Sequence, residues 1–418
     1  DSGGWIDSDL TGVIKADDDI RPQDDFAAAT NKKWKLKIGD KYYDTFQDVE
    51  DVVVHKMKKC VTDGSIRGTE ADILRGYYAL SSDWEYRNAQ GIEPLKPYLA
   101  DIESIKNMDE LYAFFEDLDR NPLALAPVKV GVIPDYHTKK FPDINLTVIE
   151  EPDLLLTDSY GESQYDNLNT SYGLEIYEKV ENRALYMLDK VGYSGKEAKN
   201  ILRNCLIWEK KVSEVLEDVN MEELEDYAVE RKKAVSLAGS FRLEELLEAW
   251  GFGEAKYIVI SPGFAKKLKS LCAKNNLERI KDYLIVNYCM DCFCYLDRIT
   301  YETMEEFGKS KTEEEMDYGM TEEQQEDELQ FQYYIGQTPM LGALNKVYVQ
   351  NYFDDSVTKE LEKLTKDIID GYNAVFNEES WLSDEGKALC LEKLNNIKIH
   401  IAKQSFDVLD FEIGRAHV

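Results

Sequence analysis

The sequence predicts a mainly α-helical protein with one small β-hairpin. Residues 172–191, 194–215 and 277–299 place apolar side chains at helical spacing over long stretches. Residues 128–133 and 143–149 are rich in β-branched side chains and flank a polar turn, which is the pattern of two paired strands. Long amphipathic helices bury their apolar stripes against one another, so we expect a multi-helix core.

Composition and charge exclude several classes of protein. The chain has 418 residues, 43% of them hydrophobic, which suffices for two or three domains of about 150 residues each. Its 82 acidic and 50 basic residues give a net charge of −32, which repels nucleic-acid phosphates and anionic membrane surfaces. No run of about 18 apolar residues occurs, so no transmembrane segment is predicted. The seven cysteines are an odd number, so at least one thiol stays unpaired within the chain.

A Gly- and Asp-rich extended arm over residues 1–24 precedes a short amphipathic helix, in which Phe26 and Trp34 are the predicted core anchors. The first long predicted helix comes next. It spans residues 46–60, and His55 lies on its solvated side without a partner at metal-binding spacing. Its predicted apolar face consists of Phe46, Val49, Val53, Met57 and Cys60.

A second helix begins at a predicted capping box formed by Thr69 and Asp72 and ends before Gly91 and Pro94. For Arg87 near its end we favour an ion pair or a cap, and binding of a substrate carboxylate is the alternative. The hairpin turn contains His137, and a lone histidine there does not make a metal site.

Two long helices occupy the middle of the chain, over residues 172–191 and from a second predicted capping box of Ser194 and Glu197 to residue 215. Residues 257–260 predict a short strand and residues 262–269 a helix. The predicted buried stripes are Ile176, Val180, Ala184, Met187 and Val191 on the first long helix, and Ala198, Ile201, Cys205, Trp208, Val212 and Val215 on the second.

The predicted helix over residues 277–299 is apolar nearly all round, so it belongs to the centre of the core. It carries Cys289, Cys292 and Cys294, which resemble a metal-binding string. On a helix only Cys289 and Cys292 share a face. We therefore interpret the three cysteines as small buried apolar residues and not as metal ligands. Asp291 beside them is expected to be buried and paired. The acidic stretch 311–328 predicts a solvated loop, since its spacing does not match a calcium-binding loop.

Residues 346–401 hold the most specific motifs in the chain. Ser383 is the predicted N-cap of a helix, Asp384 and Glu385 face its positive end, and Lys398 and Lys403 fall near its negative end. The apolar stripe of that helix is predicted to be Cys390, Leu394, Ile397 and Ile401.

Four segments resemble the neprilysin and endothelin-converting-enzyme family of zinc metallopeptidases, which includes bacterial oligopeptidases. These are Asp-Asp-Phe, then Asn and Trp, over residues 24–34; Arg-Asn, then Gly and Glu-Pro-Leu, over residues 87–95; and two segments within 346–401. Of these two, the first reads Lys-Val-Tyr-Val-Gln-Asn-Tyr-Phe over residues 346–353, and the second begins at Trp381. The resemblance covers about residues 5–412 and implies the helical, neprilysin-like N-terminal domain.

The resemblance also implies zinc in the intact enzyme, held by two histidines one helical turn apart with a glutamate between them. The four histidines of this chain are His55, His137, His400 and His417, and no His-Glu-x-x-His occurs. No catalytic, cofactor-binding or metal-ligating residue of the family is therefore assigned here, and the catalytic half is expected to be absent from this chain.

The predicted organisation has three parts: residues 1–30 form an arm that packs on the catalytic lobe in the intact family, residues 31–402 the helical domain, and residues 403–418 a truncated link. Residues 413–418 depart from the family pattern and match a translated sequencing adapter, so we expect them to be an assembly artefact. Apolar faces around Phe26 and Trp34 and on residues 383–401 would then be exposed, which favours self-association.

The function predicted by this resemblance is the substrate-restricting N-terminal domain of a zinc metalloendopeptidase that cleaves short peptides. This chain alone is expected to be inactive and to bind no catalytic zinc. We expect an extracellular or cell-surface bacterial protein with its signal removed. The alternatives are a surface protein that binds peptides without cleaving them and an unrelated helical adaptor.

Overall fold

The computed structural model describes residues 21–27, 29–31, 45–134, 145–215, 227–309, 331, 340–397, 399 and 401. Helices dominate these residues, and the strands form one small sheet, so the predicted mainly α-helical class is confirmed. The helices are α1 (Thr45–Thr62), α2 (Thr69–Ser81), α3 (Trp84–Gln90), α4 (Lys96–Ser104), α5 (Met108–Glu116), α6 (Ser171–Val191), α7 (Lys196–Ser213), α8 (Arg231–Ala238), α9 (Leu243–Ala249), α10 (Pro262–Leu271), α11 (Leu277–Cys292), α12 (Arg298–Gly308), α13 (Leu341–Tyr352), α14 (Asp355–Glu378) and α15 (Asp384–Asn395). The strands are β1 (Lys129–Pro134), β2 (Asn145–Glu150), β3 (Ala228–Glu230) and β4 (Tyr257–Val259).

The chain divides into two compact units. Unit 1 combines residues 1–83 with residues 312–418, and unit 2 consists of residues 84–311. The boundaries at residues 30 and 402 that the sequence suggests stay predictions.

Unit 2 is built around α7 and α11. The side chain of Trp208 on α7 is fully buried, and its ring centroid lies 4.5 Å from that of Tyr283 on α11. The indole N–H donates a hydrogen bond to the carbonyl oxygen of Leu271 at 3.2 Å. Truncation of a buried aromatic side chain costs about 3–5 kcal/mol, so this contact contributes strongly to the stability of unit 2. The predicted stripe of α7 is confirmed for Ala198, Ile201, Cys205, Trp208 and Val212.

Helix α6 follows its prediction closely. The Thr170 hydroxyl caps its N terminus by accepting a hydrogen bond from the N–H of Gly173 at 3.0 Å. Gly192 ends it with φ at 114°, a left-handed conformation that costs little without a Cβ. Val180, Ala184 and Met187 are buried as predicted.

The predicted helix over residues 277–299 is interrupted. Helix α11 ends at Cys292, a 3-10 turn spans Phe293–Tyr295, and α12 begins at Arg298. Asp297 explains the restart, because its carboxylate accepts hydrogen bonds from the N–H of Thr300 at 3.0 Å and from its hydroxyl at 2.7 Å. A short polar side chain in this role favours a new helix start over continuation of the old helix.

Both predicted capping boxes are wrong. Helix α2 begins after Gly68, which has φ of 133° and no side-chain cap, and Asp72 instead pairs with Arg75. Helix α7 likewise begins after Gly195, which has φ of 54° and no side-chain cap. Glycine reaches these dihedral angles without strain, so the backbone makes the entry turn and the hydroxyl is not needed. The helix predicted from Thr69 to the residues before Gly91 is also divided, into α2 and α3.

The predicted hairpin is confirmed as β1 and β2, with Val130 opposite Ile149 in an antiparallel register. The sheet is larger than predicted, because β4 pairs with β2 in parallel and β3 pairs with β4 antiparallel, in the order β1-β2-β4-β3. The strand predicted at residues 257–260 is β4, whereas β3 has three residues, too few for a periodic signal.

Unit 1 packs α1, α2 and α13 around one apolar cluster that contains Cys60, Leu74 and Leu344, all fully buried. The predicted apolar face of α1 is wrong at its start, where Phe46 and Val49 are exposed. Among the described residues of α1, this cluster is contacted from Val54 onward, so the first turns of the helix project beyond it.

Helix α15 begins as predicted, with Ser383 accepting a hydrogen bond from the N–H of Gly386 at 3.1 Å and with acidic residues in its first turn. The prediction that it continues to Ile401 is wrong. The side-chain amide of Asn396 donates to the carbonyl oxygen of Glu392 at 2.9 Å and helps to end the helix, leaving Ile397 exposed. Lys398 and Lys403 lie outside the described residues.

Candidate functional site

The histidines do not assemble into a site within the part of the chain that the structure describes. His55 is exposed on α1, as predicted. Partial desolvation lowers its pKa, and the charges of Lys59 and Lys58 lower it further, so the neutral imidazole is favoured. His137, His400, His417 and the acidic stretch 311–328 lie outside the described residues.

Arg87 has a structural role, in which its hydrogen bonds go to the backbone of a turn distant in sequence and not to an acidic side chain. Its side chain is 8% exposed and stacks on the indole of Trp84, with the guanidinium carbon 4.0 Å from the ring centroid. Its guanidinium donates hydrogen bonds to the backbone carbonyl oxygens of Leu296, at 2.9 Å, and Cys294, at 2.5 Å. These bonds hold the turn between α11 and α12.

The cysteine string lies where α11 ends. Cys289 is fully buried on the helix, Cys292 is its last residue and Cys294 lies in the following turn. Burial raises the pKa of Cys292 and of Cys294 to about 12, so both thiols stay protonated at neutral pH, and the thiolate is the form that binds metals. The prediction that Asp291 is buried is wrong, since the residue is exposed. Partial desolvation, and then the charge of Asp153, raises the pKa of Asp291 to about 6.

Among the residues that the structure describes, no three His, Cys, Asp or Glu side chains come together in a group that could hold a metal ion. The described helices also include none that is both long and apolar enough to cross a membrane.

The most unusual polar group is Glu209, which the sequence reasoning missed. Its side chain is 0% exposed in the core between α7 and α11. One carboxylate oxygen accepts the Tyr165 hydroxyl at 2.5 Å and the N–H of Leu155 at 2.9 Å, and Cys205 donates to the other at 3.6 Å. Burial raises the pKa of Glu209 to about 7, although these hydrogen bonds and one from Asn287 oppose the rise. Glu209 therefore holds the loop after β2 against the core.

The sequence did carry a signal for this group. Glu209 lies four residues after Cys205 and beside Trp208, on the face of α7 that was predicted to be buried. A single acid on an otherwise apolar helical face indicates either a charge with partners or a shifted pKa.

An open pocket of about 720 Å³ lies in unit 2 where α6, α7 and α11 approach the end of α4. Lys281 donates to the carbonyl oxygens of Glu103, at 3.1 Å, and Ile105, at 2.9 Å. Asp282 accepts a hydrogen bond from Asn204 at 2.8 Å, and its pKa is raised to about 6 by desolvation. The lining residues are Glu103, Tyr193, Lys196, Glu197, Asn200, Ile201, Glu278, Lys281, Asp282 and Ile285. This set can hold a polar group but pairs no nucleophile with a base.

The family is decided by comparison of the whole chain. A sequence profile of the N-terminal region of peptidase family M13 matches residues 22–404. The chain belongs to peptidase family M13. The resemblance to zinc metallopeptidases that the sequence motifs indicated is thereby confirmed.

Relatives within family M13 are distant in sequence and longer than this chain. A neutral endopeptidase of Lactobacillus helveticus is 22% identical over 425 residues, which cover 97% of this chain and 63% of the relative. The chain therefore spans less than two thirds of that protein.

Solved structures support the fold. The PepO structure from Lactobacillus rhamnosis superposes with a TM-score of 0.70 at 17% identity, covering 90% of this chain and 59% of PepO. Zinc metalloprotease Zmp1 of Mycobacterium tuberculosis, solved with an inhibitor, gives a TM-score of 0.69 at 20% identity, covering 94% of this chain and 58% of Zmp1. At these identities the likeness establishes the shared architecture alone.

Proposed function

We propose that this chain is the N-terminal, substrate-restricting part of a zinc metalloendopeptidase that cleaves short peptides, and that the catalytic residues lie in sequence beyond it. The observation that carries the proposal is the match to the N-terminal profile of family M13 over residues 22–404. The length ratio supports it, since the chain covers 63% of a relative named neutral endopeptidase.

In this proposal zinc is bound by the part of the enzyme that lies outside this chain. The residues of this chain do not fit a catalytic zinc site, because the sequence lacks His-Glu-x-x-His and the described donors do not form a metal-binding group. In zinc peptidases the metal activates a water molecule for attack on the peptide bond. We therefore assign no catalytic step to any residue of this chain.

The role left to this chain is to bind peptides and to limit their size. The packed core of α7 and α11, with Trp208 fully buried, gives unit 2 a rigid centre. We place the protein outside the cytoplasm or at the cell surface, where extracellular peptides would be its substrates.

The test begins with the source gene. The locus is sequenced past the codon for Glu412, and the protein is made both as the 418-residue chain and as the continued reading frame. Both are assayed with an internally quenched peptide of about ten residues and with a denatured protein substrate. Zinc is removed with a chelator and then restored.

We expect the continued frame to contain His-Glu-x-x-His and to cleave the short peptide in a zinc-dependent way, with far slower cleavage of the protein substrate. The 418-residue chain should cleave neither substrate. A frame that stops at Val418, combined with saturable peptide binding by the chain, would instead establish a peptide-binding protein that does not hydrolyse.

A further inference from the structure

Helix α14 carries an uncovered apolar stripe. Its 24 residues expose five large apolar side chains along one face, each between 43% and 54% accessible. They follow one another at intervals of three, four or seven residues, which places them on one side of the helix. The residues of this α14 stripe are Val357, Leu364, Ile368, Tyr372 and Val375.

Another side of α14 is charged and exposed to solvent. Lys359, Lys363 and Asp367 are exposed on other faces of the helix, so the charged side is separate from the stripe. An amphipathic helix with this pattern gains stability by burying its apolar side. Each side chain of the stripe keeps about half of its surface accessible to solvent. Scattered single apolar residues at a surface need no explanation, whereas a row of them does.

Two described residues that follow α15 lie close to this stripe. Ile399 and Ile401, the last described residues, lie against α14 in a groove of about 390 Å³. The α14 side of this groove is formed by Thr358, Glu362, Thr365, Lys366 and Ile369. Since successive residues are rotated by about 100° around a helix, Thr358 lies on the face next to that of Val357. Ile399 and Ile401 therefore lie near the edge of the α14 stripe.

Length and charge indicate what covers the stripe. The relatives in family M13 have substantial sequence outside the matched region, since this chain covers only 63% of one and 59% of another. The stripe runs for about 27 Å at 1.5 Å per residue, which is long enough for a docked helix or strand. A second copy of this chain is disfavoured as the occupant, because each copy carries a net charge of −32.

We propose that the α14 stripe is the docking surface for the C-terminal remainder of the full-length peptidase, which would cover it with an uncharged apolar face. This inference rests on the proposed function, because the occupant is the part that carries the catalytic residues. It differs from the sequence-based expectation, which placed the exposed faces around Phe26 and Trp34 and on residues 383–401. Within the described residues, α14 offers the longest continuous apolar row.

The test compares amide hydrogen exchange of residues 364–375 in the 418-residue chain and in the protein made from the continued reading frame. Ile368→Glu adds a negative charge in the middle of the stripe. Ala374→Glu is the matched control, because it adds the same charge to an exposed position on another face of α14. Circular dichroism of the 418-residue variants verifies that both still fold.

In the continued protein we expect exchange of residues 364–375 to slow at least tenfold. Ile368→Glu should abolish most of this protection, and Ala374→Glu should leave it. Equal exchange in the two proteins would overturn the inference, as would equal effects of the two variants. A reading frame that stops at Val418, or protection that appears only when the protein dimerises, would also overturn it, the latter in favour of a second copy.

The outcome is separable from that of the proposed function. Zinc-dependent cleavage without protection of α14 would retain the peptidase and reject this docking surface. Protection of α14 without cleavage would retain the docking surface and reject the enzyme.

Discussion

Glu209 offers the sharpest test of the energetics of this fold. Its carboxyl group is fully buried, and burial raises its pKa from 4.5 to about 7. The folded protein therefore binds this proton more tightly than the unfolded chain does. The stabilising effect is complete below about pH 4.5 and is lost as the pH rises through about 7.

The magnitude follows from the size of the pKa change. At about 1.4 kcal/mol per tenfold change in proton affinity, the rise from 4.5 to about 7 corresponds to roughly 3 kcal/mol of unfolding free energy. Glu209→Gln removes the charge and keeps an oxygen that can accept from Tyr165 and Leu155. The difference in unfolding free energy between the Gln variant and the unmodified protein should therefore shift by about 3 kcal/mol in favour of the variant from pH 4.5 to pH 8.

The assay is urea denaturation of the Gln variant and the unmodified protein at several pH values between 4.5 and 8. Asp282 and Asp291 also have raised pKa values, about 6 in each case, so total stability depends on pH through more than one group. Taking the difference between the two proteins isolates Glu209. Glu214→Gln, at an exposed carboxylate just after α7, is the control and should change the unfolding free energy little, as surface substitutions usually do. A Glu209→Gln difference that is constant over this range would refute the reasoning.

Three further predictions concern single contacts, and each is checked by urea or thermal denaturation. Gly173→Ala should destabilise the protein by at least about 2 kcal/mol, because a Cβ there would lie 2.2 Å from the carbonyl oxygen of Asn167. Gly76→Ala is the control, since its helical position is exposed and open, and it should stabilise the protein by about 0.5–1 kcal/mol. Equal effects of the two substitutions would contradict the argument. Arg87→Met should cost about 2–4 kcal/mol, because it leaves two buried carbonyl oxygens without their donor, and a neutral effect would show that the turn is held by other contacts. Ser383→Ala should cost about 1 kcal/mol through loss of the N-cap of α15, whereas Ser383→Gly should cost less, because glycine is a better N-cap residue than alanine.

The long elements of this fold could be predicted because their apolar periodicity is strong. The stripes of α6 and α7 are buried largely as expected, and the hairpin has the expected strands. The ends of helices were predicted less well. Asp297 starts a new helix inside an apolar run, and Gly68 and Gly195 start helices without the expected side-chain caps. A cap depends on dihedral angles at one residue, and residue types alone fix those angles weakly.

By itself the sequence determined the fold class, the membership of family M13, and the lack of a His-Glu-x-x-His motif, because periodicity and motif residues are properties of the chain order. Only the tertiary structure decided the fate of individual side chains. Glu209 became a buried acid with a shifted pKa, Arg87 a structural clamp, and the α14 stripe an uncovered surface. Burial and hydrogen bonding depend on which distant segments meet, such as Tyr165 with Glu209, and local sequence does not specify these meetings.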